Sequence, residues 1–238
     1  MLTTLIAVVF ALILVVGVPA LSKSNAANSE IKNLPRLDLY LSAVFSQWLL
    51  TLVGFAVVYL TARQVYVRGF GTMPLVALVQ WSAGIAGIAL LALGVVVWCE
   101  RRKWLPRESD MVYMLMPENW HEKLWAVFIV SPTAAFCEEF LFRGFLLTKF
   151  ADWLHSMTWA WIVTSIAFGL AHFYQGWNGM IRAGLLGALL AYPVVRWGNL
   201  YPAILAHWLI DTVALLWLGA WMVEKKSPES EVRSPESA

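Results

Sequence analysis

Charge is what this chain has least of. Only 13% of its 238 residues are Asp, Glu, Lys or Arg, against about 25% in an ordinary soluble domain. Hydrophobic residues make up 60%, so composition alone excludes a soluble globular protein and points to the membrane. The net charge of +2 is too small to suggest a nucleic-acid partner. Cysteine is equally scarce: Cys99 and Cys137 both sit in or beside apolar runs, which excludes a disulfide framework and any cysteine metal spacing. No polar interval is long enough for a soluble domain, since the longest runs from about Glu100 to Lys123. An HExxH sequence, in which two histidines and a base share one helical face, is absent as well.

What is present is a series of long apolar runs. Crossing a bilayer core of about 30 Å takes about 20 residues of helix. The candidate spans are Leu2–Leu21, Leu39–Ala62, Met73–Cys99, Trp125–Phe150, Trp159–Tyr174, Met180–Val195 and Leu200–Val223. The expected fold is therefore an all-α, polytopic transmembrane helical bundle of about seven spans. The fourth span contains Pro132, which predicts a kink or two helical pieces and, if two, an eighth span. The fifth and sixth are short and are expected to tilt or re-enter.

The expected organisation is a three-span N-terminal membrane region (residues 1–121), a membrane core (122–223) and a disordered tail (224–238). The tail contains SPESEVRSPESA, rich in Pro, Ser and Glu, a composition that stays solvated. Seven crossings place Lys23, Lys32, Arg36, Arg101, Arg102, Lys103, Arg107, Lys225, Lys226 and Arg233 on one face. The other face receives Arg63, Arg68, Lys149 and Arg196. The excess of basic residues assigns the first face to the cytoplasm, with the N-terminus outside and the C-terminus inside. A cleaved signal peptide ending near Val18-Pro19-Ala20 is the competing reading of the first segment, but it lacks a basic leading region.

Within the fourth span two glutamates stand side by side, Glu138 and Glu139, in CEEFLFRG, with Arg143 one turn later. Carboxylates at membrane depth cost several kcal/mol and generally face a cavity or a partner. One arginine cannot neutralise both. His172 follows in FGLAH, and His207 and Asp211 share a helical face in HWLID. Taken singly, each has a structural explanation: a buried Glu139–Arg143 ion pair, an interhelical histidine hydrogen bond, a self-satisfied His207–Asp211 pair. Taken together, two carboxylates, two histidines and an aspartate supply the base and the donors that peptide hydrolysis needs.

In this order, EExxxR, FxxxH and Hxxx(N/D) resemble the motifs of the CAAX protease and bacteriocin-processing family of intramembrane endopeptidases, which includes the Ras-converting CAAX endopeptidase. The resemblance covers roughly Trp125 to Leu218. It implies a cavity within the membrane in which Glu138 and His172 activate water. Glu139 and Arg143 would form a supporting pair, and His207 with the residue four on would stabilise the oxyanion. In the family's best-known enzyme that last position is asparagine. Here it is Asp211, which as a carboxylate cannot donate a hydrogen bond and is expected instead to accept one from His207.

No cofactor is the favoured expectation, because the HExxH spacing is missing. Were zinc bound, Glu138, His172 and His207 would be its ligands. Cys137 is expected to pack as a small apolar side chain. The resemblance further implies a membrane-anchored protein or peptide as substrate. Compact size and short loops suggest a bacterial inner (plasma) membrane. Two other functions fit the same residues: a proton-coupled transporter, or a non-catalytic binding or immunity protein.

Overall fold

The computed structural model describes residues 1–61, 69–105 and 109–218. The last residues of the seventh predicted span, the predicted disordered tail, and Arg63, Arg68 and Arg107 of the charge comparison lie outside the described residues. Among the described residues every regular element is helical.

Among the described residues five helices are long and apolar enough to cross a membrane: α1 (Leu2–Ala27), α2 (Arg36–Thr61), α3 (Leu75–Arg101), α4 (Trp120–Leu154) and, after a shorter one, α6 (Phe173–Trp197). The shorter apolar helices are α5 (Met157–Ala171) and α7 (Tyr201–Trp217). The seven correspond in order to the seven predicted spans.

Two details differ from expectation. The fourth span is one uninterrupted run of 35 residues, so no eighth helix arises. Pro132 is absorbed because it follows a π-helical stretch, Ala126–Val130, at the second position of a renewed α-helix. A proline removes a backbone donor and clashes with the preceding turn, and a widened turn relieves both. The sixth span is 25 residues long rather than short. Its polar opening, from Phe173 to Asn178, coils into the helix instead of a loop. Only α5 keeps the predicted shortness, and its 15 residues rise about 22 Å.

Helix ends follow local chemistry. Asn119 and Glu122 cap the start of α4 reciprocally, each side chain satisfying a backbone donor of the other. Ser156 caps α5 by accepting from the Trp159 amide. Contacts between linkers sort them to two ends of the bundle. At one end Arg36 bonds Glu118 and Glu122, and Tyr174 bonds both Ser22 and Ser109. At the other, Asn199 donates to the Gly71 carbonyl and Lys149 to that of Thr61. The helices therefore alternate in direction, as seven successive crossings require.

Helix α4 is the centre of the bundle. One cluster joins its Phe140, Leu141, Phe142, Phe145 and Leu146 to Phe10 and Leu14 of α1, Val57 and Val58 of α2, and Phe168 of α5. A second joins α3, α6 and α7 through Ile85, Leu190 and Ile210. In hydrocarbon, burial of apolar surface against apolar surface gains little, so close packing and interhelical hydrogen bonds hold such a bundle.

Candidate active site

The motif residues of α4 lie where its α-helix passes into a second π-helical stretch, Glu139–Leu146. π turns inside α-helices are frequent at functional sites because they re-aim side chains. Glu138 is the last α residue and Glu139 the first π residue. Glu138 reaches α2, α5 and α7. Glu139 turns inward toward α7.

Glu139 is fully buried. Its Oε1 accepts from Arg143 Nη1 at 2.9 Å and stands 2.8 Å from His207 Nδ1. Arg143, itself 3% exposed, donates through Nη2 to the Gly187 carbonyl of α6 at 3.1 Å. Its guanidinium lies 4.1 Å from the centre of the Phe168 ring, a cation–π contact. A side chain at Gly187 would press on both groups, since a Cβ there would stand 3.2 Å from Arg143 Nη2 and 3.0 Å from Phe168. This part of the motif knits α4, α5, α6 and α7 together.

Glu138 has another role. Its Oε1 accepts a 2.8 Å hydrogen bond from Gln47 Nε2 of α2. Its Oε2 has no hydrogen-bond partner among the described residues. That oxygen stands 3.7 Å from His172 Nε2 and 4.0 Å from His207 Nε2, distances that one water molecule can bridge. Asp211 Oδ2 is 3.5 Å from the same His207 nitrogen. The Glu138 and Asp211 side chains are 17% and 29% exposed, while Glu138 Oε2 itself is enclosed.

Both imidazoles are oriented from behind. The His172 Nδ1 lies 2.8 Å from the Phe168 carbonyl, an acceptor only, so Nδ1 carries a proton and Nε2 faces Glu138. His207 Nδ1 is tied to Glu139 in the same way, leaving Nε2 toward Glu138 and Asp211. Only the imidazolium form of His207 donates from both nitrogens at once. Three carboxylates and two imidazoles share this cluster with one arginine.

Such tethering also suits a cation, because histidine ligands commonly hold their second nitrogen on a carboxylate or carbonyl. Glu138, His172 and His207 would hold a zinc ion through Oε2 and the two Nε2 atoms. Among the described residues, no group of three His, Cys, Asp or Glu side chains is drawn in to metal-ligand geometry.

All six residues singled out in the sequence thus meet at one place. Two participants were not among them. Gln47 lies on α2, and an amide amid apolar residues was the signal for it. Phe168 was noted only for its spacing to His172, yet its carbonyl orients that histidine and its ring packs on Arg143. Cys137, next to Glu138, is wholly buried.

A bundle of apolar helices with a carboxylate–histidine cluster on its inner faces defines an integral membrane protein built around a polar centre. Residues 120–213 match the family model described as Type II CAAX prenyl endopeptidase Rce1-like. This stretch, which contains every motif residue from Glu138 to Asp211, is similar to that family of membrane proteases. No curated protein and no solved structure matches the chain.

Proposed function

We propose that this protein is an intramembrane endopeptidase that hydrolyses a peptide bond of a membrane-associated protein or peptide. The observation that carries this reading is the convergence on Glu138 Oε2 of His172 Nε2 at 3.7 Å and His207 Nε2 at 4.0 Å. A water molecule held between Glu138 and His172 gives a proton to Oε2 as its oxygen attacks the scissile carbonyl carbon. Negative charge collects on the carbonyl oxygen, where His207 Nε2–H donates to it. As the C–N bond breaks, Glu138 passes the proton to the leaving amine nitrogen. Asp211 accepts from His207 between turnovers and keeps the ring turned toward the site. Glu139 and Arg143 hold the frame.

Zinc, if bound by Glu138, His172 and His207, would supply Lewis acidity to the water. The metal-free route is the reading supported by the flanking of His207 by carboxylates on both nitrogens, because an imidazolium has no lone pair for a metal. Activity after chelation, beside metal analysis of the purified protein, separates the two routes.

The direct test is Glu138→Gln in protein reconstituted in liposomes with a farnesylated CAAX peptide, and Glu138→Ala in cells with peptidomics of the membrane fraction. Loss of cleavage at unchanged protein level, with precursor peptides accumulating, supports the protease. A transporter or a binding protein accumulates no uncleaved precursor, and a pure scaffold keeps its function in the Glu138→Ala strain. Compact size and short loops favour a bacterial inner membrane, and the distribution of basic residues puts the linkers at Asn33 and Arg102 in the cytoplasm. Cysteines placed at those two positions and at Asn199 should label from opposite sides.

A further inference from the structure

Gln47 stands on α2, more than seventy residues before the segment that matches the family, 120–213. It is a half-buried amide in the apolar sequence AVFSQWLLTL. An amide in a membrane helix is costly unless hydrogen-bonded, and Gln47 Nε2 donates to Glu138 Oε1 at 2.8 Å. Its neighbour Trp48 donates to Thr133 Oγ1 of α4 at 3.3 Å, and Trp48 stacks on Phe136 with ring centres 5.7 Å apart. The α2–α4 seam is therefore held at positions that flank the amide, and the amide is aimed by it.

The consequence lies in which oxygen is taken. Oε1 of Glu138 is occupied by Gln47, while Oε2 is without a partner among the described residues and faces the two imidazoles. A carboxylate fixed at one oxygen by a neutral donor cannot swing its other oxygen away from His172 without breaking that bond. A glutamate side chain otherwise has three rotatable bonds, and holding it in one geometry is an entropic cost met before reaction. A neutral donor also leaves the charge on Glu138, which an arginine in the same place would pair off as it does for Glu139.

We propose that Gln47 is a positioning residue for Glu138: its amide anchors Oε1 and so presents Oε2 to the water and to His172. The inference rests on the reading of Glu138 as the base. It assigns a part of the site to the N-terminal helices, outside the family segment.

Gln47→Met keeps side-chain length and removes the donor. In full-length protein in liposomes, infrared difference spectra with [13C]glutamate, taken between wild type and Glu138→Gln, isolate the carboxyl band of Glu138. That band should be displaced in Gln47→Met. With the farnesylated CAAX peptide as probe, kcat should fall about 10- to 100-fold, the worth of a hydrogen bond to a charged group, and KM should stay unchanged. Thr51→Val, one turn along the same buried helix face, should leave both the band and kcat as in wild type. An unmoved Glu138 band in Gln47→Met overturns the proposal whether or not the peptide is turned over. So does a loss of kcat matched by Thr51→Val, which would mark mere loosening of the seam. Cleavage retained by Glu138→Gln would instead refute the base assignment while leaving the hydrogen bond readable from the band.

Discussion

Glu139 and His207, on helices 68 residues apart in sequence, are joined by a 2.8 Å contact between Oε1 and Nδ1. The same Oε1 accepts from Arg143. One buried oxygen therefore ties the ion pair of α4 to the imidazole of α7 that faces Glu138. The second glutamate acts across the bundle, and a change at this residue should register in stability first.

Glu139→Ala leaves the Arg143 guanidinium, 3% exposed, without its carboxylate. Removing one partner of a buried pair typically costs about 3–5 kcal/mol, because the remaining charge is uncompensated. Unfolding followed in detergent micelles should show a loss of that order for Glu139→Ala. Glu138→Gln should unfold close to wild type, since Glu138 makes no ion pair with an arginine among the described residues and Gln keeps its shape. Equal midpoints for Glu139→Ala and wild type would remove the structural role.

Asp211 stands 3.5 Å from His207 Nε2, where an asparagine could donate and a carboxylate only accepts. Asp211→Asn exchanges the acceptor for a side chain that does both. Some activity should remain, because His207 stays anchored by Glu139. The pH profile of kcat/KM should be displaced, because the carboxylate facing His207 Nε2 is replaced by a neutral amide. A profile superimposable on wild type would discard the assigned interaction.

Cys137 adjoins Glu138 in sequence but is wholly enclosed. A nucleophile must reach the substrate, and this thiol is fully buried. Cys137→Ala should retain turnover close to wild type, and a thiol-alkylating reagent should leave the native enzyme active. Inactivation of wild type that Cys137→Ala escapes would reverse this.

The sequence made the functional cluster legible because ionisable residues in hydrocarbon are conspicuous: Glu138, Glu139, Arg143, His172, His207 and Asp211 all announced themselves by cost, and all converge. It also separated the two glutamates, since the i,i+4 spacing of Glu139 and Arg143 implied their bond. What stayed hidden depends on tertiary geometry. The Glu139–His207 contact arises from how α4 and α7 face each other, which no local spacing encodes. Gln47 was visible as a polar residue but carries no charge, so its cost was easily overlooked. Of the two outcomes that Pro132 allowed, a kink or two pieces, the second does not arise, because the preceding π turns accommodate the proline within one helix. The length of α6 was misjudged because its first turns are polar.

The placement of His172 rests on a close approach between α5 and α6, and this gives a last prediction away from the site itself. A Cβ on Gly169 would meet the Met180 carbonyl oxygen at 2.6 Å and the Gly184 Cα at 3.1 Å. Both are backbone atoms of α6, which no rotamer change can move, so Gly169→Ala must push the helices apart. Overpacking of this kind costs about 1–3 kcal/mol. His172 follows three residues later, at the end of α5, and its amide bonds the Gly169 carbonyl at 3.0 Å. Displacing the helix draws His172 away from Glu138, so Gly169→Ala should lower both kcat and the unfolding midpoint. Gly94 of α3 has nothing within 4 Å of its would-be Cβ, and Gly94→Ala should be neutral or slightly stabilising, since alanine is favoured in helix interiors by about 0.5–1 kcal/mol. Parallel thermal melts and peptide turnover on the two variants test the contrast, and equal behaviour would show that the α5–α6 approach does not set the position of His172.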